Sequence, residues 1–255
     1  MSPPTTYHSV AARLQSWIYS GELPAGSQLP SERRLCERLG VSRVNARDAL
    51  HFLEGQGLIY RLNRIGWFVA PAPFIYDPTR AHSLLEEAKT HHRRLDTELI
   101  MANRASAPAA VCSRLKISAA ATTFHVVRRR AVDGRWVLLE TCFFREDRFP
   151  DLLEQNLNGS LTGITQNVYG YEQRQLNVAI SSKPLAEHQA QQLRVREGSP
   201  ALKLIRDVIV EQTCVAVEIE YWLHDAIEMR MCGQAQQQAT DNSALAAAPQ
   251  PLASS

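Results

Sequence analysis

Between Ser31 and Gly57 two helical stripes are separated by only three residues, Gly40-Val41-Ser42, and so short a joint fixes the angle at which the helices meet. Leu35 and Leu39 mark the first stripe; Ala46, Ala49, Leu50 and Leu53 mark the second. Ser31 and Ser42 stand where a hydroxyl can accept from the free amides of a first turn, and Gly40 and Gly57 where a glycine can stop a helix. An earlier stripe, Val10, Leu14, Trp17 and Ile18, recurs at i, i+4, i+7 and i+8 and ends at Gly21. After Gly57 the period changes: Leu58-Ile59-Tyr60 and Gly66-Trp67-Phe68-Val69 flank a polar stretch from Arg61 to Arg64 and predict two short strands joined by a turn. Three helices and a hairpin make residues 1–74 a winged helix-turn-helix.

The net charge of +2 does not by itself announce a nucleic-acid partner, so its distribution matters more. Residues 1–70 hold eight arginines, no lysine and five acids, and five of those arginines lie between 33 and 47. Arg43 and Arg47, i and i+4 at the start of the third helix, can enter one major groove together, where the planar fork of arginine matches guanine O6 and N7. Arg33, Ser31, Ser42 and Arg64 are candidates for phosphate or minor-groove contacts. The bland alternative is that these arginines only solvate the face of a small helical bundle.

The rest of the composition is that of an ordinary globular chain. No apolar run is long enough to span a bilayer and Met1-Ser2-Pro3-Pro4 does not start a signal peptide, so a cytoplasmic protein without a membrane partner is expected. Five scattered cysteines (36, 112, 142, 214, 232) suggest neither disulfides nor a zinc finger, and His82, His91 and His92 lack the partners of a metal site. No nucleotide, metal or catalytic motif is present, so no cofactor and no catalytic residue is expected.

Residues 75–96 read as a polar linker with one helix, Arg80 to Arg94. From 97 the chain turns to strands: Thr123 to Val132 and Trp136 to Phe144 across Asp133-Gly134, then Ala201 to Glu211 and Cys214 to Leu223, with a final strand at Glu228 to Cys232. Helices are expected at Pro150 to Leu157, Ser160 to Val168 and Pro184 to Leu193. The expected class is α+β, with an antiparallel-sheet domain over 97–233 and a disordered tail over 234–255. On the first strand alternation puts Arg128 and Arg130 on one face and Arg129 on the other, with Glu140 on the hairpin partner and Glu218 on the second hairpin. Two guanidiniums pointing one way suit an anion clamp; the alternative is a pair of arginines neutralised by Glu140.

Leu29-Pro30-Ser31-Glu32-Arg33, Leu39-Gly40-Val41-Ser42-Arg43, Arg47, Gly57-Leu58-Ile59 and Gly66-x-Phe68-Val69 together resemble the DNA-binding domain of GntR-family bacterial transcription regulators. The resemblance implies that Arg33, Arg43 and Arg47 contact operator DNA, with the wing, including Arg64 and Gly66, in the minor groove. Asn45-Ala46 stands where the family usually has Thr-Val, and Arg64 where it usually has glycine; Asn45 is thereby a candidate reader of adenine. Arg128-x-Arg130-x-x-Asp133-Gly134, Glu140, Phe149-Pro150-Asp151-Leu152, Leu157-Asn158-Gly159-Ser160-Leu161 and Val217-Glu218 through Asp225 resemble the HutC-type (UTRA) effector domain, whose fold is similar to chorismate lyase. That resemblance implies an effector pocket lined by Arg128, Arg130, Glu140, Ser160 and Glu218, with His224 near its edge. The Ile219-Glu220-Tyr221-Trp222 run and its neighbours look most like regulators of phosphonate utilisation. The expected function is a dimeric, ligand-responsive repressor that reads a palindromic operator and senses a small anion such as 2-aminoethylphosphonate. The alternative is a chorismate-lyase-like enzyme carrying a DNA-binding domain.

Overall fold

The computed structural model describes residues 6–80, 83–172 and 175–232; the tail expected over 234–255 lies outside them. The head is built from α1 (Tyr7–Tyr19), α2 (Glu32–Leu39), α3 (Arg43–Gly55), β1 (Ile59–Leu62) and β2 (Gly66–Val69). Ser31 Oγ accepts from the Arg34 amide at 3.3 Å and Ser42 Oγ from the Asn45 amide at 3.2 Å, so α2 and α3 begin at their expected caps. Gly40 closes α2 at φ 66°, a left-handed turn that costs glycine nothing. Val10, Leu14, Leu35, Ala49, Leu50 and Leu53 meet in one core with Ile59, Trp67 and Val69, and each large side chain buried there contributes roughly 1.5–3 kcal/mol.

The stretch read as a polar linker is more ordered than its composition suggests. β3 (Phe74–Tyr76) pairs in parallel with β10 (Ile227–Met229), 153 residues further along the chain, because Phe74 and Tyr76 bury their rings against Trp222. The helix expected over 80–94 is only α4 (Leu84–Thr90), since Ser83 and Glu86 form a capping box that fixes its start. β4 (Leu95–Ser106) begins two residues before the expected boundary.

The second domain then carries α5 (Ala109–Leu115), β5 (Thr122–Val132), β6 (Arg135–Arg145), α6 (Leu161–Asn167), β7 (Gln175–Pro184), α7 (Glu187–Leu193), β8 (Pro200–Val210) and β9 (Thr213–Leu223). Six strands form one antiparallel sheet in the order β4-β5-β6-β9-β8-β7. Both expected hairpins are present. Asp133 and Gly134 take φ 49° and 82° between β5 and β6, the left-handed pair a tight hairpin needs. Three expectations are corrected. The helix over 150–157 is a single turn, Leu152–Glu154, entered through a left-handed Asp151. Pro184 ends a strand rather than starting a helix. The last strand, Glu228 to Cys232 in expectation, is β10, and it pairs with β3 rather than joining the sheet.

Candidate DNA interface and effector cavity

On the head, α3 presents its first turn to solvent. Arg43 is exposed and makes no ion pair among the described residues, and Val44 beside it is 68% exposed. Arg47, one turn on, reaches Glu32 of α2 at 3.2 Å, while Arg33 meets Glu37 at 2.6 Å on the surface. Asn45 is half-buried, and the hydroxyls of Ser31 and Ser42 are engaged as caps. Arg64 sits at the wing tip at φ 62°. Gly66 serves the backbone: at φ 136° a side chain would lie 2.9 Å from Gln28 Nε2, which donates to the Ile65 carbonyl. Ser31, Arg33 and Gly66 line one groove with Gln28 and Arg61, so the start of α2 and the wing come together.

In the sheet domain, cross-strand register stacks charged side chains on one face. Arg128 opposes Glu140, Glu140 opposes Glu220, and Glu218 opposes Arg206. Two carboxylates directly opposite one another repel, and here each is held by an arginine on its outer side. Arg128 has none of its surface exposed; Nε and Nη2 donate to Glu140 at 3.0 and 2.6 Å, and Nη1 donates to the carbonyls of Leu157 and Gly159. Arg130 donates through Nε to the same Glu140 oxygen at 3.2 Å, and its terminal nitrogens make no bond among the described residues. Arg206 Nη1 donates to Glu218 at 2.5 Å and Glu220 at 3.0 Å, and Nη2 donates to the Tyr76 hydroxyl. Burial pushes the Glu140 carboxyl up, but Arg128 and Arg130 outweigh it and bring the pKa to about 2. For Glu220 burial wins over Arg206, helped by repulsion from Glu140 and Glu218, and its pKa is raised.

Arg128, Arg130, Glu140, Ser160 and Glu218 therefore share one cavity. Ser160 Oγ in addition caps α6, accepting from the Gly163 amide at 2.9 Å. His224 lies elsewhere. Its Nδ1 stands 3.2 Å from the Pro200 carbonyl, and it lines a cleft with Glu54, Tyr60 and Arg61 of the head, because the strand has already ended at Leu223 and the chain turns away from the cavity. Arg129 points to the other face, toward Glu98 and the Trp136 ring. Arg206, Glu220 and Tyr76 were not among the expected pocket residues. Arg206 in an apolar strand, and Glu220 two residues from Glu218 on one face of β9, were readable signals; Tyr76 carried none, since its partner strand lies at the far end of the domain.

The two domains touch where β1 meets the start of β6. The Arg135 guanidinium lies 3.5 Å from the centre of the Tyr60 ring and donates to both carboxylate oxygens of Asp225 at 2.8 and 3.0 Å. Asn63 N donates to the Arg194 carbonyl at 3.0 Å.

A winged helix-turn-helix joined to a sheet that encloses a charged cavity is the build of a transcription regulator with an effector domain. The chain belongs to the GntR family of bacterial regulatory proteins, in the HutC-like group with a UTRA domain: the family models match residues 6–69 and 90–228. It is 26% identical over 227 residues to the HTH-type transcriptional regulator YihL of Escherichia coli K12, covering 88% of this chain and 96% of YihL. Over 154 residues it is 29% identical to the mannosyl-D-glycerate transport/metabolism system repressor MngR of the same organism, covering 60% and 64%. The crystal structure of PhnF from Mycobacterium smegmatis shares the fold, with TM-score 0.62 and 21% identity over 89% of this chain and all of that one. Among the described residues no helix is long and apolar enough to cross a membrane.

Proposed function

We propose that this regulator is a homodimeric, cytoplasmic repressor that reads a palindromic operator through Arg43, Arg47 and Asn45, holds phosphates through Arg33 and the wing residue Arg64, and is released by a small anion bound in the sheet cavity. The observation that carries the sensing half is the contrast between two arginines on one strand face. Arg128 is saturated by Glu140 and two carbonyls, whereas Arg130 keeps both terminal nitrogens available toward the cavity. The anion clamp expected of Arg128 and Arg130 together thus becomes a task for Arg130, with Arg128 orienting Glu140. Three buried arginines (128, 130 and 206) balance Glu140, Glu218 and Glu220, and the exposed Arg80 at the rim is paired with Asp77, so a ligand that carries both an anion and an amine, such as 2-aminoethylphosphonate, leaves the buried charge unchanged. A dianion would not. Glu140 is taken by two arginines, so Glu218, whose Oε1 has no partner among the described residues, is the acid that receives the amine.

A single winged helix offers few base contacts, so two heads must be held together. Val127, Thr141, Ile219 and Ile205 form a half-buried row across four strands on the face opposite the cavity, and this row supports dimerisation there. The named relative MngR is a repressor, which supports that sense of regulation.

The test begins with DNA fragments selected by the full chain from a random pool, followed by a thermal-shift screen of phosphonates, sugar phosphates and carboxylates. The expected result is a palindromic consensus, a rise in Tm with 2-aminoethylphosphonate, and loss of operator binding at the same concentration. Arg130→Ala should abolish the ligand response. Conversion of chorismate to 4-hydroxybenzoate would instead establish the enzyme alternative.

A further inference from the structure

The segment that joins the two domains is itself a wall of the cavity. Tyr76 and, further along, Arg80 and Leu84 line the same space as Arg130 and Arg206. Tyr76 is buried, with its ring against Trp222 and its hydroxyl oxygen accepting from Arg206 Nη2. Upstream, only Ala70-Pro71-Ala72-Pro73 separates β3 from the wing strand β2, and two prolines stiffen that tether.

Resting on the anion-sensing reading of the cavity, we propose that Tyr76 is the relay between effector and DNA: an anion bound by Arg130 and Arg206 takes the donor that holds the Tyr76 hydroxyl, and β3 then separates from β10. The acceptors around Arg206 make the order of displacement clear. Nη1 is bonded to two carboxylates, while Nη2 is bonded to a phenol, and Nε is buried without a partner among the described residues. Hydrogen bonds to an ionised acceptor are about twice as strong as those to a neutral one, so the phenol is the contact an incoming anion replaces first. Burial raises the Tyr76 pKa and keeps it the neutral, weaker acceptor.

What the phenol holds is a minimal structure. β3 and β10 form a two-stranded parallel ladder of three residue pairs, Phe74 with Ile227 through Tyr76 with Met229, and a two-stranded sheet has little stability of its own. Two attachments of the head end on it, while the Asn63–Arg194 bond and the 3.9 Å Arg196–Glu54 pair do not. The proline tether leads into β3, and Asp225, two residues before β10, grips the Arg135 that stacks on Tyr60 of β1. Opening the ladder loosens these two at once, leaving the head on its weaker contacts at Arg194 and Arg196, and lets the spacing of two heads drift from the operator spacing.

Hydrogen exchange on the full chain tests this with Tyr76→Phe, which keeps the buried ring and removes the hydroxyl. Without ligand the variant should exchange amides over 74–76 and 227–230 about tenfold faster than the wild type, the value of one net hydrogen bond. Inorganic phosphate or 2-aminoethylphosphonate should produce the same opening in the wild type and little more in the variant. The variant should also bind these anions several-fold more tightly, because a competitor for Arg206 is gone; a residue that merely lines the pocket predicts weaker or equal binding. Unchanged exchange in Tyr76→Phe overturns the latch, and faster exchange with weaker anion binding overturns the relay. Faster exchange in the variant with no wild-type response to either anion retains the latch and overturns anion sensing instead.

Discussion

Arginine–glutamate pairs occur in both halves of the molecule, and their surroundings give them opposite uses. In the head, Arg33 with Glu37 and Arg47 with Glu32 sit in solvent, the arginine side chains 69% and 60% exposed. In the cavity, Arg128 is wholly buried against a Glu140 that is itself buried. An exposed pair is worth about 0–1 kcal/mol and is screened by salt, so it can be exchanged for a DNA phosphate at little cost. A buried pair resists that exchange, because separating it leaves a charge in a poor solvent. The head arginines are therefore free to exchange partners, as the proposed operator reading requires, while the cavity arginines form a scaffold in which only donors not held by a carboxylate are open to the proposed ligand.

The sharpest way to break this contrast is Glu140→Ala, which strands two buried guanidiniums. It should cost about 3–5 kcal/mol and lower the melting temperature by roughly 10 °C, read by calorimetry. A change under 1 kcal/mol would mean that water reaches the cluster freely. The same group gives an acid dependence. Its folded pKa of about 2 lies below the ordinary 4.5, so its stabilisation is complete above pH 4.5 and drains as pH falls toward 2. Glu220, with a raised folded pKa, acts in the opposite sense above 4.5. Urea midpoints should consequently drop most steeply below pH 4.5, and Glu140→Gln should flatten that fall.

Smaller effects are expected in the head, and on binding rather than folding. Arg43→Ala or Arg47→Ala should each cost about 1–3 kcal/mol of operator affinity and relax specificity, whereas Arg33→Ala should weaken all sequences alike and reduce the salt slope. Titrations against the selected operator and scrambled DNA separate the two outcomes; equal losses on both for Arg43→Ala would remove it from base reading. The smallest change is Glu37→Gln, which opens an exposed i,i+4 pair. Stability should move by no more than about 0.5 kcal/mol, and a larger shift in chemical denaturation would show that the surface pairs of the head are structural after all.

Local chemistry decided much of what could be read in advance. Caps at Ser31 and Ser42, the stop at Gly40, the Asp133-Gly134 turn and the alternation of Arg128 with Arg130 each act within a few residues, and each stands where it was expected. The edge strands were harder. β7 is exposed along most of its length and β4 is only half-buried, so neither shows clean alternation, and the Pro at the end of β7 reads as the start of a helix.

The chain alone thus determined the winged head, its arginine-bearing face and the two central hairpins, because helix caps, tight turns and period-two burial depend on neighbours in sequence. Tertiary structure alone decided that Glu140 faces Glu220, and with it that the β8–β9 hairpin carrying Arg206 borders the cavity, since β6 and β9 are joined by no hairpin. It also decided that β3 pairs with β10, moving Tyr76 from a linker into the cavity wall, and that the chain turns away after Leu223, leaving His224 outside it. Such contacts carry no local signal: what stabilises them is burial and charge compensation between segments far apart in the chain.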